Sequence, residues 1–294
     1  MEFDFSGVIA DLLRFGINAY NGMMKNAYSL FTTNPVNWEA GTGWDVVEKI
    51  YPTFVAVATT LIVIFFLVGF CGEAMRNNRK MNFDSVIMLL VKLVVSEGLV
   101  ASSLTIVQSI LSSVTALASL VGGNSAKSMK IQYNTAFKEY VEAFSQNTDL
   151  SNFGWQIMGL LLALVSMVVF LSCGGMIIYT AYMRMFKCLV VIPYAAFAFS
   201  TIAGGGAAIG HTFPGFIKYL LTVSLEVVTM IVALQLGVAI VNTETFKGLI
   251  TLGENASYFL SYLNAIVTNS LSMLVVLGLI KGSEHITQRA LALR

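Results

Sequence analysis

The chain has 294 residues, 56% hydrophobic and 11% charged, with a formal net charge of +1. Soluble domains carry about 25% charged residues, so this composition excludes an ordinary soluble fold, and the near-neutral charge points to no class of partner. The apolar residues come in long runs, so the expected fold is an all-α polytopic membrane protein.

The N-terminus, MEFDFSGVIADLLRF, is acidic and has no basic leader followed by a long apolar stretch, so a cleaved signal peptide is not expected. Residues 5–31 alternate with a helical period. Phe5, Val8, Ile9, Leu12, Leu13, Ile17, Tyr20, Met24, Ala27 and Phe31 fall on one side, and Asp11, Arg14, Asn18, Asn21 and Lys25 on the other. This amphipathic helix is too polar to cross a membrane alone. It is expected at the membrane surface or on a partner helix. The turn-rich NPVNWEAGTGW at 34–44 ends it.

The first span, PTFVAVATTLIVIFFLVGFC at 52–71, contains no charge. A short loop with Arg76, Arg79 and Lys80 follows. The second helix covers about 85–120, roughly 54 Å at 1.5 Å per residue, so it must tilt, break or project from the bilayer. Residues 121–153 form a polar loop with an amphipathic segment built on Tyr133, Phe137, Tyr140, Val141 and Phe144. A third span is expected at 155–181, a fourth at 217–241 and a last at 258–280. The organisation is then an extracytoplasmic helix and linker (1–51), two membrane helices (52–120), a polar loop (121–153), a membrane core (154–280) and a basic cytoplasmic tail (281–294).

Between the third and fourth spans lies RMFKCLVVIPYAAFAFSTIAGGG, bounded by Arg184 and Lys187 at one end and Gly204, Gly205 and Gly206 at the other, with Pro193 inside. It is short for a crossing. Its course decides the topology. Cytoplasmic loops are enriched in Lys and Arg, which places the 72–84 loop inside and the N-terminus outside. If 184–206 re-enters or breaks instead of crossing, Lys218 and the tail (Lys281, Arg289, Arg294) fall inside too. The charge rule favours that arrangement: five spans plus a re-entrant or broken segment, N-terminus outside, C-terminus inside. A full crossing would give six.

Three ionisable residues fall within the predicted helices: Lys92, Glu97 and Glu226. Buried charges in a membrane usually face protein or water. Lys92 and Glu226 are expected at similar depth from the same side, where they could pair within one chain or between subunits; otherwise Lys92 reaches the interface alone. Thr222, Glu226, Thr229, Ala233 and Gly237 share one helix face. A second polar seam comprises Ser102, Thr105, Ser109, Ser112, Ala116 and Ser119, and a third Ser257, Ser261, Asn264, Thr268 and Ser272. Small and hydroxylated residues let helices approach closely and hydrogen-bond, so these are assembly candidates.

Enzyme signatures are missing: His211 and His285 stand alone, and there is no HExxH, GxSxG, GxxxxGK[ST] or GxGxxG. The glycine-rich GGGAAIG at 204–210 reads as a hinge. Cys71, Cys173 and Cys188 form no CxxC and read as small apolar side chains. No catalytic residue, metal or cofactor is expected.

One family pattern emerges over 182–240. There YMRMFKCLVVIPYAAFAF, a glycine-rich turn and FPGFIKYLLTVSLEVVTMIVAL follow one another, and GLIKGSEHITQRALAL comes near the end. This order resembles the TrbL-type polytopic inner-membrane subunit of conjugative type IV secretion systems, in its Gram-positive conjugative-element branch. The resemblance implies a homo-oligomeric channel or scaffold subunit in the cytoplasmic membrane. It would work with the system's ATPases and other subunits, with transferred DNA or relaxase met only indirectly, since each basic loop holds too few cations to track a strand. The alternative is a secondary transporter or ion channel, a class in which paired broken helices are common.

Overall fold

The computed structural model describes residues 6–76, 83–123, 153–204, 210–241 and 258–291. The amphipathic segment predicted within 121–153, the loop cations Arg79 and Lys80, Gly205 and Gly206, the 242–256 loop and Ser257 lie outside them.

The described residues are almost entirely helical: α1 (Ser6–Thr32), α2 (Thr42–Arg76), α3 (Phe83–Gly122), α4 (Phe153–Val191), α5 (Tyr194–Ser200), α6 (Thr212–Val241) and α7 (Tyr258–Ala290). Short 3-10 turns at Pro35–Gly41 and Thr201–Gly204 complete the order. Five helices are long and apolar enough to cross a membrane: Thr42–Met75, Phe83–Gly122, Ile157–Val191, Thr212–Val241 and Phe259–Ala290. The chain is therefore an all-α, multi-pass membrane protein. The apolar piece Tyr194–Gly204 is far shorter than these five, too short to cross a 30 Å core as a helix. It is the broken segment.

The helices run past their predicted ends. α2 begins at Thr42, ten residues before the expected span, and takes Pro52 into its interior. Gly41, at φ 88°, supplies the left-handed turn that starts it. The boundary predicted at residue 51 therefore falls inside a helix. α4 continues to Val191, ten residues beyond the predicted 181, because nothing breaks the helix until Pro193 restricts the residue before it. α7 runs on to Ala290 through most of the predicted tail.

The chain divides into two compact units. The first comprises Met1–Phe31, Val121–Tyr182 and Thr229–Glu284. Here α1 buries Ile9, Leu13, Ile17, Tyr20, Met24, Ala27 and Phe31 of the predicted stripe, while Val8, expected on the same face, is exposed. Its partner is α4 of the same chain: Gly16 sits against Met167 and Phe170, and Gly174 against Tyr20 and Met23. Gly237 of α6 packs likewise on Val276 and Leu279 of α7. The Tyr262 hydroxyl of α7 donates to the Gly159 carbonyl of α4 at 3.1 Å, and the Gln235 amide of α6 donates to Val121 and Gly122 at the end of α3. Lipid gives helices little hydrophobic reason to associate, so close approach at glycine and interhelical hydrogen bonds hold this unit together.

The second unit comprises Thr32–Leu120, Met183–Val228 and His285–Arg294. Its core gathers Trp44, Tyr51, Ala58 and Ile62 of α2 with Val100, Val107 and Leu111 of α3, and with Ile192, Ala195, Ala196, Phe199 and Ala203 of the broken segment. Tyr51 and Ser103 join their hydroxyls in a buried hydrogen bond. The α2 helix packs on both α5 and the 3-10 turn. The closest approach is at Gly69, where an added Cβ would fall on the carbonyl of Gly204.

Because the obstacle at Gly69 is backbone, no side-chain rotation relieves it. Gly69→Ala is expected to cost about 1–3 kcal/mol, as overpacking does. Gly72→Ala, with nothing within 4 Å, serves as the neutral control. Thermal unfolding of both variants in detergent checks this; an unchanged midpoint for Gly69→Ala would contradict the packing.

Candidate functional site

The second unit holds a buried polar centre on α4 and α6. Its cation is Arg184, 2% exposed and seven residues inside the end of α4. Sequence reasoning placed Arg184 at a cytoplasmic interface, as the end of the third span. In the structure α4 does not stop there: it runs on to Val191, and Arg184 is a buried residue within the long apolar helix Ile157–Val191. A guanidinium in that setting must be compensated. Glu226 of α6, 4% exposed, and Cys188, one turn along α4, lie within its electrostatic reach.

Compensation of charge is not matched by hydrogen bonding. Arg184 Nη1 faces the Met185 sulfur at 3.7 Å, a weak acceptor. Its Nε is buried and has no partner, and so is the Ser224 hydroxyl on α6. A buried unpaired donor costs about 1–3 kcal/mol, so this centre carries a standing penalty.

Beside it, the backbone of the broken segment is carefully satisfied. Pro193 has no N–H and caps α5 at φ −58°, ψ −29°. The Ala195 N–H turns back to Ile192 at 3.0 Å. At the other end the 3-10 turn takes over, and the Thr201 N–H donates to the carbonyls of Ala198 and Phe199. Ser96 of α3 donates to the Phe199 and Ser200 carbonyls at 3.0 and 3.3 Å. The Ser200 and Thr201 hydroxyls close onto Phe197 and Ala198. Aromatic rings flank the segment on two sides: Phe54 packs on Tyr194 and Phe197, and Phe199 on Phe213 and Phe216.

The predicted residues distribute unevenly about this centre. Glu226, Thr222, Pro193 and Gly204 are buried, Pro193 and Gly204 at the two ends of the broken segment, with the Thr222 hydroxyl bonded to the Lys218 carbonyl at 2.8 Å. Lys187 is half-buried. Lys92 is half-buried and has no partner among the described residues, and Glu97 is exposed. The Lys92–Glu226 pair is therefore not formed within the chain; Arg184 is the cation that the fold sets toward Glu226. In the first unit Thr229 and Asn264 are half-buried, and Asn264 accepts from Thr268 at 3.4 Å.

Two features escaped the sequence reading. Ser96, Val100, Ser103, Val107 and Leu111 form the buried face of α3, and their helical spacing was there to be found. The seam that was chosen instead, Ser102, Thr105, Ser109, Ser112 and Ser119, is exposed. Ser102, Thr105, Ser109 and Ser113, with Ile106, Ile110, Val114 and Leu221, line an open groove of about 460 Å³. The hydroxyls of Ser102 and Ser109 fold back onto carbonyls one turn earlier, which leaves the groove floor small and quiet.

Compared with known proteins, the chain matches no family model, no curated protein and no solved structure.

The buried centre makes a sharp expectation. Removing one member of a buried charge pair typically costs about 3–5 kcal/mol, and replacing both costs far less. Arg184→Met should lower the unfolding midpoint in detergent strongly, and Arg184→Met with Glu226→Gln should recover much of the loss. Lys92→Met should stay within about 0.5 kcal/mol of the parent. An Arg184→Met variant as stable as the parent would refute the coupling.

Proposed function

We propose that this chain is a channel or scaffold subunit of a conjugative type IV secretion machine, acting by homo-oligomeric assembly in the cytoplasmic membrane. The observation that carries the assembly is the hydroxyl-lined groove on α3. Small residues on the outside of a membrane helix are the surface that another helix can approach closely, and the seam here stays open on the single chain. The secretion machine is inferred from the resemblance over 182–240. On this reading the partners are further copies of the chain, the machine's ATPases and other subunits, and the lipid bilayer. DNA or relaxase is met indirectly. The N-terminus faces outward and the C-terminus inward, as the placement of basic residues favours.

A second reading, a transporter or ion channel, has one observation in its favour: Arg184 and Glu226 are buried charges beside a broken helix, a combination common where transporters bind substrate. One broken segment among the described residues, without a counterpart, fits that class less well.

Mass measurement in native detergent separates the two. The assembly reading expects a defined multimer, and Ser109→Phe, which fills the groove without touching the core, should shift it toward monomer while leaving the unfolding midpoint unchanged. Deleting the chain from a conjugative donor should abolish DNA transfer without affecting growth. A stable monomer that moves a solute, or undiminished transfer, would overturn the proposal.

A further inference from the structure

The Arg184 guanidinium is a buried charge short of acceptors. It is 2% exposed, and arginine does not shed its proton in proteins. It brings five N–H donors. Its one hydrogen-bonding contact among the described residues runs from Nη1 to the Met185 sulfur at 3.7 Å, and Nε is buried with no partner. Glu226 lies within its electrostatic reach, yet among the described residues no oxygen accepts from the guanidinium. Two opposite charges are therefore held near each other without touching.

That arrangement selects the chemistry of what fits between them. The group must accept from a guanidinium N–H and donate to a carboxylate. A phosphate or a halide would bring negative charge toward Glu226, and a metal cation would be repelled by Arg184. An apolar filler serves neither partner. Water serves both, and it is small enough for a site so little exposed. Buried waters make about three hydrogen bonds to polar groups that a chain leaves unsatisfied. A polar contact too long to be direct is where such a water is expected. A carboxylate offers about four acceptor sites, so Glu226 takes this donor beside any other partner it has.

We infer that the second unit holds an internal water site between α4 and α6, in which a water accepts from Arg184 Nε–H and donates to the Glu226 carboxylate. The ligand class is a small neutral molecule that both donates and accepts. The site is a wet point in apolar surroundings. Cys188, one turn along α4 from Arg184, and Val223, nearly one turn before Glu226 on α6, both belong to the hydrophobic core that packs the broken segment. Water there offsets the desolvation of a donor that the chain itself leaves unpaired. The site does not depend on how copies of the chain assemble.

Solid-state NMR tests this on the full chain with isotope-labelled arginine and glutamate, reconstituted in phosphatidylethanolamine–phosphatidylglycerol vesicles. The Arg184 Nε and Glu226 carboxylate signals are identified by their loss in the double variant Arg184→Met, Glu226→Gln. Magnetisation from water protons should reach the Arg184 Nε–H at least about threefold faster than the backbone N–H of the same residue, which is held inside α4. The Glu226 carboxylate should receive it as well. Transfer to Nε from lipid and protein protons alone would overturn the water site. Water at Nε without water at the Glu226 carboxylate would overturn the bridge. Dephasing of Nε by phosphorus would replace water by a phosphate, from lipid headgroups if it persists in phosphate-free buffer and from the buffer if it does not.

Discussion

The second unit depends on one constraint: a helix broken in an apolar surround frees backbone groups that lipid cannot satisfy. Pro193 makes the break, and the residues around it answer the consequence. Ser96 reaches from α3 to the carbonyls of Phe199 and Ser200 at the end of α5. Ser200 and Thr201 use their own hydroxyls on the turn before them. Gly69 lets α2 come against the Gly204 backbone. The alanines 195, 196, 198 and 203 keep the segment slim enough to be buried. Each choice is local, and together they let a short helix replace a crossing.

The same constraint explains why charge collects nearby. A guanidinium has five donors and no acceptor, so in a dry interior it needs a counter-charge and several acceptors. Arg184 has the first in Glu226 but is poorly supplied with the second. Buried ion pairs of this kind seldom add net stability over well-packed apolar residues. Arg184 and Glu226 do place opposite charges on α4 and α6 within electrostatic reach of each other.

Much of this was legible in the sequence. Five apolar runs gave five spanning helices, and the short run with Pro193 gave the broken segment. The stripe from Ile9 to Phe31 was visible as a period. What could not be read was which cation meets Glu226. Lys92 matched it by distance along the chain, but Arg184, on a helix that runs on past the predicted end at 181, lies within its electrostatic reach. Helix ends are set by whatever finally stops the helix, and here the stop was Pro193 rather than the charges before it. The buried face of α3 was not singled out, because serine lies on both faces. Only the partner decides: Ser96 and Ser103 have acceptors or donors across a helix boundary, whereas Ser102 and Ser109 bond back to their own helix.

Glycine then divides the labour between units. At Gly16, Gly174 and Gly237 the missing side chain admits a neighbouring side chain or helix backbone, and the gain is dispersion contact over helix flanks. At Gly69 it admits a carbonyl from a broken helix, and what is gained is a place for irregular backbone. Membrane helices lack the hydrophobic drive that brings soluble helices together, so their association rests on such close approaches. It follows that the polar outer face of α1 is not needed to hold the helix in place. Its apolar side and two glycine contacts already do that.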